Sequence, residues 1–180
     1  FKHKDLEKWR ENFVGVEHVH APTNLLITGA VDDVWQLGNG DLIVVDYKAT
    51  SKDEEVSLDA EWQQGYKNQM EIYQWLFRQN SFKVSPTGYF VYVNGKRDAA
   101  AFDGKLEFDV KLISYTGDTS WVEPSLLKLK ECLTGEEIPS ADPDCDYCLY
   151  RDHAGVAFRN HEHKKKQNLN NQSTLFNNII

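Results

Sequence analysis

Apolar and polar positions alternate along this chain with two different periods, and the changes of period mark its elements. Residues 2–12, KHKDLEKWREN, read as a short charged helix. VGVEHVH at 14–20 alternates with period two, as a half-buried strand does, and ends near Pro22. Residues 25–37, LLITGAVDDVWQL, are β-rich, and Gly38-Asn39-Gly40 then signals a hairpin. In DLIVVDYKA at 41–49 the run Leu42-Ile43-Val44-Val45 predicts a strand buried on both faces. Residues 59–79 carry the longest helical pattern, with Tyr66, Met70, Tyr73 and Phe77 at helical spacing. Pro86 leads into TGYFVYV, a second strand of the buried type. LEFDVKLISY at 106–115 alternates again, and TSWVEPSLLKLKECL at 119–133 reads as a helix that Pro124 begins or interrupts.

A long helix between two apolar strands predicts a right-handed βαβ crossover, and with it an α/β fold. Residues 1–155 read as one domain. The stretch 156–180 is polar and Asn-rich and is expected to be a tail with little fixed structure. No internal repeat is visible.

Composition narrows the picture. At 180 residues, with five Trp, eight Tyr and nine Phe, the chain can bury a real core. No apolar run approaches the roughly 18–20 residues of a membrane helix, and no signal-peptide pattern is present, so no membrane partner is expected. A net charge of −8 counts against holding nucleic acid by bulk electrostatics alone. Cys132, Cys145 and Cys148 are too few and too unevenly placed for a disulfide framework, which points to a reducing, cytoplasmic setting. The sequence opens on Phe1, and the expectation is that an N-terminal part is missing. Oligomeric state is not legible.

The chemistry-bearing group is Asp32, then Asp46-Tyr47-Lys48, then Gln69-x-x-x-Tyr73. An isolated D-x-K is weak, and the chain has two others, Asp103-Gly104-Lys105 and Asp109-Val110-Lys111. Only Asp46 follows an apolar strand that would carry it to the end of a buried sheet, and only Asp46 has an acid on the preceding hairpin strand. A three-residue loop, Gly38-Asn39-Gly40, sets Leu37 opposite Asp41, and counting outward sets Asp32 opposite Asp46. Lys48, two residues on, shares their face. A two-residue Asn39-Gly40 turn would set Asp33 there instead. The first register is favoured because it turns Lys48 towards both acids. Asp33 is then a solvent or salt-bridge acid.

Phosphodiester hydrolysis suits this grouping. Carboxylates of Asp32 and Asp46, with the Tyr47 carbonyl, could hold a hard divalent cation that polarises phosphate and activates water. Lys48 could position the attacking hydroxide and stabilise charge building on phosphate oxygens. Gln69 and Tyr73, one helical turn apart, could hydrogen-bond Lys48, a phosphate or a base. The bland alternative is an ordinary strand salt bridge beside a helix packed in the core.

GAVD, VVDYKAT and QMEIY resemble motifs of PD-(D/E)XK nucleases of the RecB-like exonuclease branch, a group that includes the nuclease domains of RecB and AddB and the CRISPR-associated iron–sulfur exonucleases. The resemblance spans about residues 25–95. It implies a central mixed sheet flanked by helices, Mg²⁺- or Mn²⁺-dependent hydrolysis, and a DNA substrate often attacked from an end, in DNA processing, repair or defence. Family members usually carry a further acid or His ligand on an upstream helix. His3 lies on a predicted helix but close to the strands, and His18 and His20 read as structural. The residue after the motif Asp is often basic in the family; here it is Asp33.

Cys145-Asp146-Tyr147-Cys148 is a C-x-x-C, one half of a four-ligand metal site. The iron–sulfur nucleases are similar here, which implies a possible 4Fe-4S cluster with further ligands from elsewhere. Ala154 stands where another Cys often falls, His153 is a candidate substitute, and Cys132 is expected to be a buried thiol in helix packing. A function of another class, a nuclease-fold module that binds DNA or acts as a scaffold without catalysis, is the alternative reading.

Overall fold

The computed structural model describes residues 3–98, 101 and 103–177. The chain divides into two compact units, Phe1–Thr134 and Gly135–Ile180. In the first unit an antiparallel ribbon pairs β1 (Val16–His20) with β2 (Leu25–Gly29). A four-stranded sheet follows in the order β3-β4-β5-β6, made of Asp33–Gln36, Leu42–Thr50, Thr87–Gly95 and Phe108–Thr116. It is mixed: β3–β4 and β5–β6 are antiparallel, while β4–β5 is parallel. The parallel pair requires a crossover, and α2 (Gln64–Gln79) supplies it, entered through a 3-10 turn at Glu61–Gln63. Two further helices, α1 (Leu6–Arg10) and α3 (Val122–Thr134), complete the unit. This is the expected α/β fold.

The apolar run of β4 is buried from Leu42 through Val45, on both faces as its sequence predicts. On one face α2 lays Met70, Tyr73, Leu76 and Phe77 against a core that includes Val34, Val44 and Phe90. Burying each such side chain contributes about 1.5–3 kcal/mol. Two glycines let helix and strands approach. A Cβ on Gly29 would lie 2.7 Å from the Tyr73 ring, and one on Gly88 would overlap the Met70 sulfur. Buried Glu71 of α2 accepts hydrogen bonds from Tyr115 Oη (2.6 Å), Asp118 N–H (3.0 Å) and Trp121 Nε1 (2.6 Å), which fixes the β6–α3 connection. A second buried knot joins His20 of β1 to Glu123 of α3 (2.6 Å), with Trp75 Nε1 donating to the same carboxylate (3.0 Å).

Several expectations shift. The β-rich stretch 25–37 is not one strand. Its first half pairs in the ribbon, its second half in the main sheet, and the turn between them is held by Val31, whose N–H reaches the Trp9 carbonyl (3.0 Å) and whose side chain is buried. The first helix is shorter than 2–12, because only Leu6 and Trp9 give it a buried face; residue 2 lies outside the described residues. His3 precedes that helix and stacks on Trp9, ring centroids 4.4 Å apart. Pro124 falls in the first turn of α3, where its missing N–H disturbs nothing. Cys132, expected in the core, is exposed, since α3 buries only Val122 and Leu126 near its start.

In the second unit an exposed stretch without helix or strand runs from Gly135 to Asp144 and leads into α4 (Asp146–Asn177). The segment expected as an unstructured tail thus lies in a helix through Asn177, and residues 178–180 lie outside the described residues. Beyond Gly155 the sequence carries neither Gly nor Pro to end a helix, while Lys and Gln extend one readily. No helix among the described residues is long and apolar enough to cross a membrane.

Candidate active site

The β3–β4 hairpin sets the first two acids. Its loop has three residues. Leu37 N–H donates to the Asp41 carbonyl (2.9 Å), and Gly40 takes the left-handed φ of 90° that such a loop requires. The ladder then pairs Gln36 with Leu42 and runs to Asp33 with Val45. One step further brings Asp32 opposite Asp46, and the Asp32 carboxylate accepts from Tyr47 N–H at 2.7 Å. Asp33 belongs to the other face, where it accepts from Val34 N–H (2.8 Å) and from Tyr47 Oη (2.9 Å), not from a cation. One expectation is corrected: Asp46 is not at the end of its strand. β4 continues to Thr50 because β5 pairs with it as far as Asn94, so Asp46 lies where the β3 ladder stops and the β5 ladder goes on.

Alternation along β4 turns Asp46 and Lys48 to the side covered by α2. The Lys48 ammonium lies 2.7 Å from Asp46 Oδ2. It also donates to Gln69 Oε1 (3.1 Å), and Gln69 Nε2 donates to Tyr73 Oη (2.7 Å). Asp46, Lys48, Gln69 and Tyr73 therefore form one connected chain, with Asp32 across the hairpin. Helical spacing adds one more residue to this group. Tyr66, three before Gln69 and seven before Tyr73, lies under the Lys48 ammonium at 4.3 Å from the ring centroid. The i, i+3, i+7 spacing of 66, 69 and 73 is the signal that links it to the site.

The electrostatics follow from burial. The Asp46 side chain is only 4 % exposed. Burial raises its pKa above the ordinary aspartate value, the Lys48 ammonium opposes this, and the Asp32 charge adds to it. The Tyr73 hydroxyl is raised by burial first and then by the Asp46 and Asp32 charges, while the Gln69 hydrogen bond works the other way. Asp46 Oδ2 is buried, and the Lys48 ammonium is its close partner at 2.7 Å. A buried anionic oxygen so placed has lost its water and regained only part of that stabilisation. With Asp32 opposite, the donor set is hard and anionic, which fits a hard divalent cation. The described residues gather no group of three or more His, Cys, Asp or Glu here, so the protein's own carboxylate ligands would be these two. His3, His18 and His20 do not join them: His18 packs edge-on against Trp75, and His20 is committed to Thr23 and Glu123.

The other two D-x-K sequences lack this setting. Asp103 is exposed in a turn, and Asp109 is exposed on β6, paired with Lys96 at 3.3 Å. In the second unit Cys145 and Cys148 lie at the start of α4. The neighbouring Cys148, through its backbone first and its thiol second, holds the Cys145 thiol below its usual pKa, while Cys145 pushes the Cys148 thiol up. His153 does not assemble with them into a ligand cluster among the described residues.

A profile of the PD-(D/E)XK nuclease superfamily matches residues 2–153. No curated protein and no solved structure matches the chain.

Proposed function

The chain belongs to the PD-(D/E)XK nuclease superfamily, and from that premise we propose that it is a divalent-metal-dependent deoxyribonuclease of the RecB-like type, acting as an exonuclease. The observation that carries this reading is the buried carboxylate of Asp46, held at 2.7 Å by the Lys48 ammonium and across the hairpin from Asp32. A metal bound by Asp32, Asp46 and the Tyr47 carbonyl would supply Lewis-acid polarisation of phosphate and a water of lowered pKa. Lys48 holds a cationic donor where charge accumulates on the phosphate oxygens. Gln69 fixes the direction of that ammonium by accepting its proton at 3.1 Å, and Tyr73 fixes Gln69 in turn.

Degradation of end-labelled DNA with Mg²⁺ or Mn²⁺, against a chelator control and Asp46→Ala, tests the reading. Metal-dependent loss of label, abolished in Asp46→Ala, supports it; DNA binding with no hydrolysis would favour a non-catalytic nuclease-fold binder. The Cys145–Cys148 pair supplies two of the four ligands an iron–sulfur cluster needs, and the described residues bring no others. Iron analysis and visible absorption after purification without oxygen decide whether the pair is loaded.

A further inference from the structure

One aromatic group beside the site is left without a structural task. Trp62 lies in the 3-10 turn that enters α2 and is 64 % exposed, the only exposed tryptophan of the five. Its turn is not loose. Gln63 is buried, takes the Ala60 N–H on Oε1 (2.9 Å) and donates Nε2 to the Ser57 carbonyl (2.7 Å), so the chain is anchored on both sides of the exposed ring. Trp62 meets Tyr66 with centroids 5.4 Å apart and planes at 82°. The two rings form a corner, which leaves ring surface open to a third planar group. Tyr66 in turn carries Lys48 over its ring, and Lys48 touches Asp46. An unbroken line of contacts thus runs from an exposed indole to the proposed reacting centre.

Resting on the nuclease reading above, we propose that Trp62 and Tyr66 form a stacking platform for an unpaired base of single-stranded DNA, which holds the strand with a phosphate at the Asp46–Lys48 pair. Two further observations point to a base as the occupant. The chain carries a net charge of −8, so affinity for a polyanion has to draw on something other than bulk attraction. Exposed Asp59 and Glu61 stand just before Trp62 in the chain and offer phosphate no positive charge, so the uncharged ring is the group there that can hold a strand. Stacking on aromatic faces is tolerant of sequence but needs a base already out of the helical stack. The platform therefore selects for an unpaired strand and not for a sequence.

The test uses the full chain and three labelled probes: a mixed-sequence single-stranded DNA, its blunt duplex, and a strand of equal length built from abasic deoxyribose-phosphate units. Binding is measured in chelator and hydrolysis in Mg²⁺. The wild type should bind the base-bearing strand about tenfold more tightly than the abasic one. Trp62→Ala should erase that difference and slow single-strand hydrolysis, and Trp62→Phe should keep most of both. Trp62→Leu, which keeps apolar bulk without a π face, carries the test if the alanine variant folds poorly. Equal binding of base-bearing and abasic strands by the wild type, or unchanged binding by Trp62→Ala and Trp62→Leu, overturns the platform. If those variants leave binding unchanged while the wild type degrades DNA, the platform falls and the nuclease reading stands. Base- and Trp62-dependent binding without any hydrolysis keeps the platform and removes the nuclease reading.

Discussion

Asp46 couples burial to titration at the scale of one side chain. Its carboxyl pKa is raised by loss of solvent, with Lys48 opposing. A folded-state pKa above the unfolded value means that the native protein binds the proton more tightly. In metal-free solution Asp46 therefore favours folding at low pH, and that contribution is lost as pH rises through the raised value. Thermal midpoints of the wild type and Asp46→Asn, compared across the acid range in chelator, should show the wild type gaining relative to the variant as pH falls. With Mg²⁺ the sign reverses. Proton and metal compete for the same oxygens, so metal stabilisation should be largest at neutral pH, fall towards the acid range, and vanish in Asp46→Asn. For catalysis, Asp32→Ala, Asp46→Ala and Lys48→Ala should each lower DNA hydrolysis about 100-fold or more with the fold retained, while Asp103→Ala and Asp109→Ala stay near wild type. Loss of activity in either of the last two, with Asp46→Ala still active, would place the chemistry elsewhere.

At the scale of elements, the distance between α2 and the strands is what brings Gln69 and Tyr73 to Lys48. Gly29 governs that distance on the ribbon side, because any Cβ there meets the Tyr73 ring. Gly29→Val should destabilise by about 1–3 kcal/mol through overpacking, and should also reduce hydrolysis by displacing the hydroxyl that orients Gln69. Gly65, in the first turn of the same helix, is a built-in control. A Cβ there meets nothing within 4 Å, so Gly65→Ala should stabilise by about 0.5 kcal/mol. Denaturant midpoints check both signs. A Gly29→Val variant as stable as the wild type would mean that the approach of α2 to β2 does not govern this region.

At the scale of the whole molecule, the exposed stretch between Thr134 and Asp146 that joins the two compact units is a weak seam. Its backbone carries little regular pairing, so it opens for a protease at little cost. Limited digestion with a glutamate-specific protease should cut first at Glu136 or Glu137, leaving the segment that bears Asp32, Asp46, Lys48, Gln69 and Tyr73 whole. An earlier cut inside α2, at the buried Glu71, would show that the first unit is less stable than its packing implies.

How much of this was written in the sequence differs from element to element. The βαβ arrangement was legible, because an apolar run, a long helical period and a second apolar strand leave few alternatives. The Asp32–Asp46 register was legible as well, because loop length alone fixes which residues face each other, and the left-handed glycine sits where a three-residue loop needs it. Local pattern could not say that residues 25–37 serve two sheets. That break depends on Trp9, distant in sequence, taking the Val31 N–H. Nor could it show that Asp46 lies within a strand, since β5 supplies the pairing that continues β4, or that Cys132 faces solvent, since α3 has a partner only along its first turns. Polar composition beyond 155 was read as disorder, yet composition reports the absence of a buried face and not the absence of a helix. Residue types and spacing determined which groups could do chemistry. Tertiary packing alone decided that Asp46 would be stripped of water, that Lys48 would rest on Tyr66, and that Trp62 would stand exposed beside them, because burial and orientation arise only when distant segments close on one another.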